Sequence, residues 1–267
     1  MPSQPKVAVV TGASSGIGAA TARRLARDPG RELVLVARRG ELLAELAASL
    51  PCPTTWLTAD LTRPDAPERV RAHVEQHHDR LDLLVNNAGA AWRGTFAETG
   101  WANVHRHMEL NFDAVVRLTE ALLPLLRRSA PSAIVNVAST AGRVSRAKSG
   151  SYSASKFALI GWTDALNLEE APHGVHVGMV LPGFIPTEGF PQAELRDKAL
   201  TRLLLGTPEQ VAEAIHEVGP GGKAERYVPR KYALAAHLRV LAPGLTRRVL
   251  GGGAANTLVP AASEQND

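Results

Sequence analysis

An apolar, β-branched run, Val7-Ala8-Val9-Val10-Thr11, passes directly into Gly12-Ala13-Ser14-Ser15-Gly16-Ile17-Gly18 and then into a helical pattern. This strand, glycine loop and helix constrain the fold more than any other feature. Glycine accepts the backbone angles and close approaches that so tight a turn demands. A strand followed at once by a helix packs that helix back on its own sheet, as in a βαβ crossover. The loop's N–H groups and the positive helix end form an anion site suited to a pyrophosphate. A turn made glycine-rich only for close packing is the alternative reading. The spacing is Gly-x-x-x-Gly-x-Gly, not the Gly-x-Gly-x-x-Gly of most dinucleotide folds.

The same alternation runs down the chain. Strands are expected at Val7–Thr11, Leu33–Ala37, Thr54–Thr58, Leu81–Asn86, Ala133–Ala138, Val175–Leu181 and Arg226–Val228. Helices are expected near Ile17–Arg27, Gly40–Ser49, Pro67–His77, Trp101–Arg127, Ser153–Glu170 and Pro208–Val218. Short β-branched runs separated by helical patterns give a parallel sheet with helices on both faces. No repeat or Pro/Ser-rich linker divides the 267 residues, so the pattern predicts one doubly wound α/β domain of about seven parallel strands over residues 1–230. Ligands of such sheets bind beyond the carboxyl ends of the strands. Gly12 to Gly18, Asp60, Asn87 to Gly89, Ser139 and Pro182-Gly183 all fall there.

In Ser151-Tyr152-Ser153-Ala154-Ser155-Lys156, helical spacing puts Tyr152 and Lys156 one turn apart on one face. A nearby ammonium favours a phenolate and brings a tyrosine toward acid–base work at neutral pH. Ser139 stands 13 residues upstream. These residues, with Thr11 to Gly18 and Asn86-Asn87-Ala88-Gly89, resemble the short-chain dehydrogenase/reductase family from about Lys6 to Thr187. The resemblance implies a Rossmann-type fold and an NAD(P)-dependent exchange between a carbonyl and an alcohol. Ser139, Tyr152 and Lys156 would form the catalytic set. Asn111 would break its helix and hold a water that links Lys156 to solvent; a satisfied buried asparagine is the competing reading. Gly12, Ser14, Ser15, Gly16, Ile17 and Gly18 would take the pyrophosphate side. Asp60 and Leu61 would meet the adenine, although Asp60 also suits a turn or a helix cap. Asn87, Ala88 and Gly89 would lie beside the nucleotide. Tyr152, Lys156, Pro182, Gly183, Ile185 and Thr187 would surround its nicotinamide end.

The end of the second strand carries Arg38 and Arg39 after Ala37, with no carboxylate to bind a ribose diol. Arg38 therefore predicts NADP(H) over NAD(H), unless both arginines only begin a solvated helix. Ser139, Trp92, Val144 and Phe184, with a loop over residues 184–206 that also carries Phe190, predict a pocket for a fairly apolar carbonyl. A 3-oxoacyl-thioester reductase and a non-catalytic NADP(H)-sensing regulator on the same scaffold remain as alternatives. The resemblance also implies a homodimer or homotetramer, for which Leu118, Leu122, Leu125 and Leu126 offer a face. His73 and His77 have helical metal-ligand spacing but no completing partner, so no metal is expected. Trp92, Phe96 and Trp101 read as pocket wall and core.

The segment from Lys223 onward holds seven basic and three acidic residues, a difference equal to the whole formal charge of +4. With aromatics at only 4%, no stacking surface for nucleic acid is expected. Residues 231–267 form a basic, apolar extension with a disordered end, expected as two short helices because Pro243-Gly244 interrupts them. One reading packs these helices over the cleft or a subunit interface. The other lays Leu234, Leu238, Leu241, Leu245 and Val249 on an anionic membrane surface. A single cysteine, Cys52, and no secretory signal point to a cytoplasmic protein, peripheral to a membrane on that second reading.

Overall fold

The computed structural model describes residues 6–188 and 205–251. Its elements run β1 (Lys6–Thr11), α1 (Gly16–Leu25), β2 (Arg31–Ala37), α2 (Gly40–Ser49), β3 (Thr54–Thr58), α3 (Ala66–His77), β4 (Leu83–Asn86), α4 (Phe96–Met108) and α5 (Ala114–Arg128). They continue as β5 (Ser132–Val137), α6 (Gly150–Glu170), β6 (Val175–Pro182), α7 (Pro208–Val218), β7 (Glu225–Val228), α8 (Tyr232–Leu241) and α9 (Pro243–Gly251). Seven parallel strands form one sheet in the order β3-β2-β1-β4-β5-β6-β7. The expected Rossmann-type architecture is present.

The continuous apolar runs follow from burial on both faces. Along β1, Ala8 and Val10 point to one face and Val7 and Val9 to the other. The first face carries α1, α2 and α7 through Ala22, Leu25, Leu43, Val211 and Ile215. The second carries α3, α5 and α6 through Val70, Val74, Leu118, Leu122 and Leu166. The strand order reverses between β1 and β4, so a crevice opens at their carboxyl ends.

That crevice is braced by one threonine. The buried Thr11 hydroxyl accepts from Asn87 N at 2.9 Å and Ala88 N at 3.0 Å and donates to Val85 O at 3.2 Å. Asn87 returns the bond by donating Nδ2 to Thr11 O at 2.9 Å. The glycine loop after β1 and the Asn87-Ala88-Gly89 turn after β4 are thereby fixed to each other.

Local details depart from the sequence reading for identifiable reasons. β4 starts at Leu83 because Asp82 substitutes its side chain for a ladder group, with Oδ2 accepting from Val7 N at 2.8 Å. The helix expected over Trp101–Arg127 is two helices joined by a π-helical turn, Glu109–Asp113, and Gly100 at φ 56° kinks the first of them. Leu118, Leu122, Leu125 and Leu126 are buried in the core under the sheet, which corrects their assignment to a subunit face. Phe96 and Trp101 are 72% and 70% exposed and belong to no core. The extension begins with two helices, and Pro243 starts the second rather than ending the first. Tyr232, Ala235 and Ala236 of α8 line the crevice, while Leu234, Leu238, Leu241, Leu245 and Val249 face outward. No described helix is long and apolar enough to cross a membrane. Phe190, most of the 184–206 loop and the chain end lie outside the described residues.

Thr11→Val keeps the shape of the brace but leaves Ala88 N–H without its acceptor. An unsatisfied buried donor costs about 1–3 kcal/mol, and the half-buried Ala88 N–H belongs at the lower end of that range. Urea unfolding should therefore show a lower midpoint at an unchanged slope.

Candidate active site

The crevice is a cleft of about 400 Å³. Gly12, Ser15, Gly16 and Ile17 line its floor, Asn87, Ala88 and Gly89 one side, and Pro182, Gly183, Ile185 and Thr187 the other. Ser139, Tyr152 and Lys156 close its inner wall, and Trp92, Val144 and Phe184 flank them. Ser14, Gly18, Arg38, Asp60 and Leu61 stand off this wall, each with a definable position.

Tyr152 sits in the first turn of α6, which begins at Gly150, three residues earlier than the sequence suggested. Lys156 follows one turn on, 4% exposed, with Nζ 6.0 Å from the tyrosine ring centroid. Its ammonium donates to Val137 O at 2.9 Å, at the end of β5, so the expected pairing with the phenol is replaced by a backbone anchor. Burial lowers the lysine pKa to about 8. Burial also raises the Tyr152 pKa above its ordinary value, opposed by the Ser139 hydroxyl and by the Arg146 charge. The phenol therefore keeps its proton at neutral pH. Ser139 Oγ accepts from Ala141 N at 3.1 Å and donates to Pro182 O at 3.4 Å, which fixes the hydroxyl where β5 and β6 end.

Asn111 lies in the π-helical turn, where the expected helix break occurs. Its Oδ1 accepts from Ala90 N at 3.0 Å, and its Nδ2 donates to Ala90 O at 3.0 Å and Ser155 Oγ at 3.1 Å. The side chain thus clips the loop after β4 to α6. A residue that sequence reasoning missed, His107, completes this support. Nδ1 donates to Asn103 O at 2.6 Å and Nε2 accepts from Trp92 N at 3.0 Å, which fixes a neutral ring with the proton on Nδ1. Its ring meets Trp92 at 4.9 Å and Tyr152 at 6.0 Å, and burial lowers its pKa. The only sequence signal was its place one turn before Asn111.

At the other end, Arg39, the residue after Arg38, lies against the glycine loop. Its guanidinium donates to Ser15 Oγ at 2.7 Å and Ser14 Oγ at 3.2 Å, and pairs with Glu188 at 2.9 Å. Arg38 is exposed, near enough to Asp60 to help lower the carboxylate's pKa. Asp60 Oδ1 accepts from Thr62 N at 3.0 Å and Thr62 Oγ1 at 2.8 Å, the turn role named as its alternative. Among the described residues, no group of three or more His, Cys, Asp or Glu is placed to hold a metal.

The loop fits a dinucleotide pyrophosphate. Gly12 has φ +64°, and a Cβ there would lie 2.9 Å from the Ala88 Cα. A Cβ on Gly18 would come 2.2 Å from Gly12 O. Ser15 caps α1 without a side-chain bond, which leaves the first-turn N–H groups for a ligand.

Comparison with known proteins bears on this arrangement. Residues 6–197 match the model of the short chain dehydrogenase family. Dehydrogenase/reductase SDR family member 7B of Bos taurus is 33% identical over 93% of this chain and 81% of that protein. A ketoacyl reductase of Nostoc sp. is 34% identical over 79% of the chain and 74% of that protein. A short-chain dehydrogenase from Streptomyces avermitilis superposes with a TM-score of 0.77 at 32% identity, covering 92% of this chain and 96% of that one. This chain belongs to the short-chain dehydrogenase/reductase family. As a family member it is an NAD(P)(H)-dependent oxidoreductase of alcohol and carbonyl groups.

Tyr152→Phe removes one hydroxyl and little volume. It should keep the fold and lose about 10²–10⁴-fold in kcat, the usual worth of a general acid. Steady-state turnover on a carbonyl reduced by the unmodified enzyme, beside its circular dichroism spectrum, checks both parts.

Proposed function

We propose that this protein is an NADP-preferring reductase of a carbonyl on a fairly apolar small molecule. The observation that carries the reading is the junction, in one cleft, of a glycine-loop cradle with Ser139, a half-buried Tyr152 whose pKa is held above its ordinary value, and the apolar walls of Trp92, Val144 and Phe184. The bound nicotinamide nucleotide supplies the hydride. Tyr152 gives its proton to the carbonyl oxygen as negative charge develops there. Ser139 Oγ orients and polarises that oxygen. Lys156, anchored on Val137 O, would hold the ribose end of the nucleotide in its ammonium form. Asn111 secures Ala90 in the cleft wall, and its helix break would hold the water that relays protons to Lys156. Oxidation uses the same groups in reverse.

Arg39, already resting on the loop serines, would take the ribose 2′-phosphate, with Arg38 at the adenine and Asp60 and Leu61 behind it. A second reading, reduction of a 3-oxoacyl thioester, draws on the name of the Nostoc relative. A screen of NADPH consumption over aliphatic, aromatic, steroid and acyl-thioester carbonyls tests both. Reduction of none of them, with nucleotide bound, would leave the sensing regulator as the better account.

Two further outcomes are expected. Calorimetry should find NADPH bound at least about tenfold more tightly than NADH, from charge-assisted bonds of roughly 1.5–3 kcal/mol. Arg39→Ala should remove more of that difference than Arg38→Ala, and Glu188→Gln, which frees the guanidinium, should enlarge it. NADPH affinity should also weaken as pH rises through about 8, where Lys156 loses its charge, and Lys156→Met should abolish this dependence together with most turnover.

A further inference from the structure

Two arginines on the cleft wall take no part in the chemistry above. Arg93 follows Trp92, and Arg146 lies between Ser139 and Tyr152 in sequence; both border the cleft with Phe184 and Tyr232. Both guanidiniums are held below their usual pKa by burial, and the Arg93 charge pushes Arg146 further in the same direction. Buried Arg31 pairs with Asp28, and half-buried Arg143 and Arg226 pair with Glu225 and Glu217. Arg146 instead stacks 4.5 Å from the Phe184 ring centroid, and among the described residues no carboxylate lies within 4.0 Å of it. A desolvated guanidinium such as that of Arg146, with a like charge nearby, favours an anion in the cleft.

That anion is not the phosphate of the nucleotide, whose cradle lies at the start of α1 beside Arg39. The charge of Arg146 instead reaches Tyr152, where it favours the phenolate. Arg146 therefore shares a compartment with the reacting carbonyl. Its guanidinium fork matches the two oxygens of a carboxylate or phosphate.

We infer that the substrate is an amphiphile: an apolar body with the reducible carbonyl near Tyr152 and an oxyanion held by Arg146 and Arg93. This rests on the reductase reading and narrows its substrate class. The oxyanion is the carboxylate of an oxo acid or the phosphate of an acyl thioester's pantetheine arm.

The test compares kcat/KM with NADPH for a medium-chain oxo acid against its methyl ester. A parallel arm compares an oxoacyl thioester on phosphorylated pantetheine with the same thioester lacking the phosphate. The charged member of at least one pair should be favoured about ten- to a hundredfold, and which pair shows it identifies the oxyanion. Arg146→Met should bring that ratio toward one, Arg93→Met should lower it, and Arg146→Lys should retain part of it. Calorimetry with an alkyl carboxylate, an alkyl phosphate and the matching alkyl alcohol reads the same site without turnover. Neutral members reduced as well as charged ones, with no preference for either anionic alkyl ligand, would overturn the oxyanion site while leaving the reductase reading intact. A ratio that survives the Arg93→Met, Arg146→Met double variant would overturn it too. Anion binding without reduction of any carbonyl would support the site and remove the reductase reading.

Discussion

The site depends on a hydroxyl that braces two strand ends across the point where the strand order of the sheet reverses. Thr11 accepts from both backbone amides of Asn87-Ala88 while Asn87 bonds back to Thr11 O. Parallel strands leave their carboxyl ends unpaired at such a point, and the resulting crevice is useful only if its two lips keep a fixed separation. With the brace in place, the Gly12 to Gly18 loop and the Asn87 to Gly89 turn present one continuous surface. Asn111 extends the fixation by holding both polar backbone groups of Ala90, while His107 accepts from Trp92 N and Asn103 donates to Trp92 O. From β1 outward, a chain of buried side-chain-to-backbone bonds reaches α6, which carries Tyr152 and Lys156.

Burial then sets the chemistry. Lys156, Tyr152 and His107 all have pKa values moved toward their neutral forms, and desolvation is the largest cause for each. The lysine, at about 8, keeps its charge near neutrality; the histidine is neutral and rigid; the phenol keeps its proton. The expectation that Lys156 would draw the phenol down treated the two side chains as an isolated pair on a helix. In the fold, the Val137 carbonyl captures the ammonium, and Ser139 and Arg146 are the groups that act on Tyr152.

Much of this was legible in the sequence because the strand runs and the motifs each depend on local pattern. The glycine loop, the order of seven strands and helices, and the meeting of Ser139, Tyr152 and Lys156 in one cleft follow from periodicity and from family resemblance. What was not legible depends on neighbours distant in sequence. Arg38 and Arg39 are indistinguishable until β2 ends and the chain turns, which leaves Arg39 on Ser14 and Ser15. Leu118 and Leu122 form an apolar stripe that suits a subunit face or a sheet equally, and the sheet covers it. His107 and Arg146 carry no motif, and their importance appears only when Trp92, Phe184 and Tyr152 close around them.

The central claim is that Tyr152 of the free enzyme keeps its proton through neutral pH. The chain has only three tyrosines, so a carbon-13 NMR titration of ring-labelled protein resolves each phenol, with Tyr152→Phe as the assignment control. The account predicts that the Tyr152 resonance stays in its protonated position through neutral pH and moves only above about 10, the ordinary range for tyrosine. A midpoint near neutrality in the protein alone would contradict it, and would return the phenolate and its stabilising cation to the centre of the mechanism.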